Sequence, residues 1–60
     1  MNSVVCTKGS KGRFRASGIE FEVIDTTPIT STIRFHGSGE VHELADADLR
    51  KVAESIEKFS

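Results

Sequence analysis

The chain is poor in cysteine and proline and contains no long apolar run. Cys6 is the only cysteine among 60 residues. That excludes an intramolecular disulfide and a zinc knuckle built from thiolates, and it makes a reducing, intracellular setting the default. Cys6 itself reads as a small hydrophobe. No apolar segment approaches the ~20 residues needed to span a bilayer, and the stretch from Met1 to Cys6 is too short for a signal peptide. A cytoplasmic protein without membrane association is expected. Acidic residues are missing from positions 1–19, which hold Lys8, Lys11, Arg13 and Arg15; positions 20–60 hold four bases and nine acids, so a formal net charge of −1 conceals a change of sign near Glu20. The near-neutral total argues against a general polyanion binder, whereas the uneven distribution keeps the basic segment as a candidate surface.

What is present is enough branched and aromatic residue for a core. The apolar fraction is 37% and the charged fraction 28%, values of a folded chain and not of a disordered one. Sixty residues make one domain, 1–60, near the lower size at which a chain without disulfides folds alone.

Period-two alternation runs from Gly12. Phe14 and Ala16 oppose Arg13, Arg15 and Ser17, and then Ile19, Phe21 and Val23 oppose Glu20 and Glu22. With Ser17-Gly18 as a two-residue turn, the predicted register sets Arg15 against Glu20, Phe14 against Phe21 and Arg13 against Glu22. Val4 to Thr7 forms a further strand before the turn Lys8-Gly9-Ser10-Lys11. Thr26-Thr27-Pro28 is a connection, because proline donates no ladder hydrogen bond. Ile29 to His36 alternates again, and Gly37-Ser38-Gly39 returns the chain as Glu40 to Leu44. A Ser38-Gly39 loop sets Arg34 against Glu43, and a three-residue loop sets Phe35 against Val41; the first matches both charge and apolar pairs. In ADADLRKVAESIEKFS the period changes. Leu49, Val52, Ala53, Ile56 and Phe59 fall on one helical face, with Asp46 as N-cap. No internal repeat of usable length emerges.

The predicted fold is α+β: a meander of four or five antiparallel strands, about 3–7, 12–16, 19–25, 30–36 and 40–44, with an amphipathic helix over about 47–59 packed on it. The expected core is Val5, Phe14, Ile19, Phe21, Val23, Ile33, Phe35, Leu44, Leu49, Val52, Ile56 and Phe59. Residues 19–49, IEFEVID, ITSTIRFHGSGEVHEL and DADL, resemble small SH3-like barrels in the rhythm of strands and turns. The resemblance covers about half the chain and implies a sheet curled into a barrel. It includes none of the motifs by which such families bind RNA, methylated lysine or proline-rich peptides, so no binding residue follows from it.

Catalytic chemistry finds no support. Cys6 lies in an apolar strand, no spacing resembles a triad, and so small a domain rarely builds a water-excluding cleft. The glycines open strands and not helices, which excludes a P-loop or dinucleotide cradle. His36, His42 and Glu40 are legitimate zinc donors, but their spacing is no motif and structural zinc takes four protein ligands. No cofactor or metal is expected. Two binding surfaces remain. Thr30, Thr32, Arg34 and His36 would line the outer face of one strand and suit a larger protein partner. Lys8, Lys11, Arg13 and Arg15 would suit phosphates, although the predicted pairing engages both arginines and leaves the lysines of the turn. The expectation is a non-enzymatic regulator or inhibitor that docks on a protein, of a size that phages and mobile elements encode as free-standing chains; the alternative is a small nucleic-acid-binding domain.

Overall fold

A computed structural model describes residues 6–56. It contains five antiparallel strands and one short helix, an α+β arrangement: β1 (Lys11–Phe14), β2 (Glu20–Thr26), β3 (Thr30–Phe35), β4 (Val41–Ala45), α1 (Asp46–Val52) and β5 (Ala53–Ile56). The strands form one sheet in the order β4-β3-β2-β1-β5. The alternation in the sequence sets its faces. Phe21, Val23, Ser31 and Ile33 point inward and are buried, while Glu20, Glu22, Thr32 and Arg34 stand between them on the outer face.

Both hairpin registers differ from the expected ones, and for one reason. Arg13 lies opposite Glu20, and Lys11 opposite Glu22. Glu22 itself faces Arg34 across the next pair of strands. The loop spans four residues, 15–18, closed by Phe14 N–H donating to Ile19 O at 2.9 Å and Gly18 N–H donating to Phe14 O at 2.8 Å. A two-residue turn would demand positive φ at Ser17, at both central residues or at the first. The four-residue loop demands it of Gly18, at φ 76°. The β3–β4 hairpin repeats this solution with Gly39 at φ 78°, and it pairs Arg34 with Val41 and Ile33 with His42. Neither expected register of that hairpin is realised.

The larger correction concerns the C-terminus. Helix α1 ends at Val52 instead of running to 59, and Ala53–Ile56 turns extended and pairs with β1. Four residues of this segment satisfy one edge of β1, whose backbone groups would otherwise lie unpaired. Of the strand expected over 3–7, Cys6 and Thr7 are not in a strand, and the rest lies outside the described residues. Asp46 is also not the N-cap: that position is Ala45, without a side-chain cap. Asp46 instead accepts a hydrogen bond from the buried Ser31 hydroxyl at 2.7 Å, fastening the helix start to β3.

The helix determines how far the sheet curls. Ala45 leaves β4 opposite Thr30, and Ala53 enters β5 opposite Phe14, at the other end of the sheet. In a flat sheet the two edge strands would stand about 19 Å apart sideways alone. A helix of seven residues rises only about 10 Å. The sheet therefore wraps toward its inner face, and Leu49 fills the space, wholly buried with Phe21, Val23, Ile33 and Ala53. The edge strands do not hydrogen-bond each other, so the sheet stays open.

Cys6, Phe14, Phe35 and Leu44 pack against this core half-buried. Ile19 and Val52, expected inside, are 43% and 48% exposed. The longer loop carries Ile19 to its rim, and the end of the helix turns Val52 outward. Ile56 stands opposite Lys11 and is half-buried. Val5 and Phe59 lie outside the described residues. Gly12 is on the inner face, paired with Phe21, and a Cβ there would meet the Phe21 ring at 2.5 Å and Glu54 O at 3.0 Å. The absent side chain lets the largest core residue lie across β1.

Candidate functional site

The four basic residues near the N-terminus do not form one free patch. Lys8 occupies the second position of a turn in which Ser10 N–H donates to Thr7 O at 3.0 Å, with Gly9 at φ 92° in the third position. Arg13 lies opposite Glu54 of β5 and donates to its carboxylate at 2.6 Å. Arg15 reaches the end of α1: its Nη1 donates to Lys51 O at 2.8 Å, its backbone N–H donates to Val52 O at 2.9 Å, and its Nε lies 3.8 Å from Glu54 Oε1. A cation at the C-terminal carbonyls suits the negative end of the helix. Glu54 thus takes one guanidinium on each oxygen. The hydrogen bond from Arg13 holds its carboxyl below the usual range, against the opposing effect of burial and with help from both positive charges. Both arginines are engaged, as the sequence suggests, and the salt bridges of both run to Glu54 in the C-terminal segment.

The outer row of β3 lies where the alternation places it. Thr30 donates to Glu43 at 2.9 Å, and its hydroxyl is 2.6 Å from that of Thr27. Thr32 sits between Asp25 and Glu43 in the registers. Arg34 is bound to Glu22 Oε1 at 3.2 Å and remains 53% exposed. His36 begins the following loop, with its backbone N–H donating to Glu20 O at 2.8 Å. The row ends in a shallow cleft of about 250 Å³ lined by Glu22, Arg34, Phe35, His36 and the loop Gly37 to Gly39. Glu22 and this loop are the parts of the site that alternation alone misses, because Glu22 belongs to another strand and the loop only acquires its shape from the four-residue register.

His42 stands opposite Ile33 on the inner side of β4, stacks on Phe35 with ring centroids 4.9 Å apart, and lies 3.4 Å from Glu40. Among the described residues no group of three or more His, Cys, Asp or Glu is placed to hold a metal ion, and no helix is long and apolar enough to cross a membrane. The chemistry available on the outer face is hydrogen bonding and ion pairing, with threonine hydroxyls, one half-exposed arginine and a carboxylate at the cleft. No protein family, curated protein or solved structure matches this chain.

Proposed function

We propose that the chain is a small non-enzymatic binding domain, a regulator or inhibitor that docks on a larger protein through the outer face of β3. The observation that carries this reading is the division of labour among the cations. Arg13 and Arg15 close the C-terminal segment onto the sheet, whereas Arg34 lines an open cleft at the end of the row Thr30, Thr32, Arg34 and His36. A polar face with hydroxyls and one charge-assisted donor, beside a concave feature, suits a modest protein interface. The sheet order and the helix joining β4 to β5 support a barrel of the SH3-like kind in its curled, open form, and such a scaffold favours binding over catalysis. A cytoplasmic setting belongs to the same reading, since a lone thiol needs no oxidising compartment.

Nucleic-acid binding through Lys8, Lys11, Arg13 and Arg15 is the weaker alternative. Both arginines are held by Glu54 and α1, and Lys11 stands opposite Glu22, so even phosphate contacts by both lysines would give a salt slope of only about −2 on duplex DNA. The test is affinity capture from nuclease-treated lysate of the organism that encodes the chain, comparing the native protein with Thr32→Glu and Arg34→Glu. A protein captured by the native chain and lost in both variants is expected. Capture that persists in both, or submicromolar nucleic-acid binding at physiological salt that vanishes on Lys8→Ala and Lys11→Ala, would overturn the proposal.

A further inference from the structure

The two hairpins are copies of one unit. Arg13-Phe14-Arg15-Ala16-Ser17-Gly18 and Arg34-Phe35-His36-Gly37-Ser38-Gly39 share Arg, Phe, Ser and Gly at the same places, and Glu22 and Glu43 continue the match four positions beyond each turn glycine. The geometry repeats with the letters. Phe35 N–H donates to Glu40 O at 2.8 Å and Gly39 N–H to Phe35 O at 3.0 Å, as in the first loop. Ser17 Oγ accepts from Ile19 N–H at 3.2 Å, and Ser38 Oγ accepts from Glu40 N–H at 3.3 Å.

The flanking strand repeats as well. Beside the first hairpin, β5 sets Glu54 opposite Arg13 and Ala53 opposite Phe14, with Arg15 N–H on Val52 O. Beside the second, β2 sets Glu22 opposite Arg34 and Phe21 opposite Phe35, with His36 N–H on Glu20 O. Glu22 is thus the counterpart of Glu54, Arg34 of Arg13, and His36 of Arg15. By that correspondence the cleft lies beside Glu22 as the Arg15 guanidinium lies beside Glu54 in the first unit. It opens in the second because His36 is shorter than arginine and because Gly37, at φ 101°, takes a conformation that Ala16 does not share.

We infer that the cleft receives an arginine side chain of the docked partner, whose guanidinium pairs with Glu22 beside Arg34 as Arg15 pairs with Glu54 beside Arg13. The inference rests on the reading of the β3 face as a protein-docking surface and names the group that reaches its end. One carboxylate with a guanidinium on each oxygen is already built at Glu54, and Arg34 holds Oε1 of Glu22. The counterpart of Lys51 O is Ile19 O, which accepts Phe14 N–H and has a second lone pair for another donor. Acidic residues outnumber basic ones beyond residue 19, which favours a cationic visitor over an anionic one.

The probe is the neutral-ended peptide acetyl-Gly-Arg-Gly-amide, titrated into the native chain and followed by amide NMR, with acetyl-Gly-Glu-Gly-amide as its counterpart. Saturable shifts at Glu22 and at His36 to Gly39 are expected with the arginine peptide alone. They should weaken up to about fivefold in Glu22→Gln, as for an exposed ion pair. His36→Arg should rebuild the first unit's contact within the chain and shut the peptide out. Preference for the glutamate peptide, absence of binding by either, or binding unchanged in Glu22→Gln would overturn the inference. If a partner is captured through Thr32 and Arg34 while no arginine probe binds, this inference falls and the docking proposal stands.

Discussion

Single residues in this chain are constrained where backbone meets ring and where charge meets charge. Gly12 has an ordinary β conformation, so its role is space: the Phe21 ring occupies the position of its missing Cβ. Gly12→Ala should cost about 1–3 kcal/mol as an overpacked core position, measured by urea denaturation. An unchanged midpoint would show that the ring moves aside freely. Glu54 offers a second test. Its carboxyl titrates below the usual carboxylate range when folded, chiefly through the hydrogen bond from Arg13. A depressed folded pKa contributes stability above the unfolded value, and that stability is lost as pH falls through the folded value. The native chain should therefore lose stability below about pH 4.5 more steeply than Glu54→Gln, seen in thermal melts across that range. Parallel profiles would place the acid sensitivity elsewhere.

Among the elements, register is decided by turn chemistry and not by matching charges. The pairing Arg13–Glu22 is attractive on paper, but exposed ion pairs contribute only ~0.2–1 kcal/mol, less than a non-glycine residue costs at positive φ. Turn geometry wins and Arg13 is delivered to Glu54. A double-mutant cycle on Arg13 and Glu54 should give a favourable coupling within that range that shrinks with salt. The cycle on Arg13 and Glu22 should give none. The reverse outcome would restore the two-residue turn. The same logic explains the hidden repeat. Ser-Gly at both hairpins signals a turn, but its equivalence only shows once Phe14 and Phe35 close the loops with the same bonds.

At the scale of the whole molecule, one short helix holds opposite corners of the sheet, and Leu49 is its only buried residue. Leu49→Ala removes the side chain around which the sheet curls and should cost about 2–5 kcal/mol. A domain of this size has little reserve, so the variant should be largely unfolded at room temperature by circular dichroism. Val52→Ala, 48% exposed at the end of the same helix, should stay folded. Equal melting of the two would remove the helix from its central place.

Local pattern determined the inward and outward rows of β2 and β3, the positions of the three turns and the start of the helix, because alternation, glycine and acidic first turns act over a few residues. The outer row Thr30, Thr32, Arg34 was readable for that reason. Tertiary structure alone decided what residues 53–56 became. Ala53 and Ile56 fit a helical face, and no glycine or proline stops the helix at Val52. The open edge of β1, the reach of Arg15 to Lys51 O and the pull of Arg13 on Glu54 select a strand instead. Those partners lie about forty positions away in the chain, beyond the range of any local period, and the cleft beside Glu22 depends on the same long-range pairing of strands.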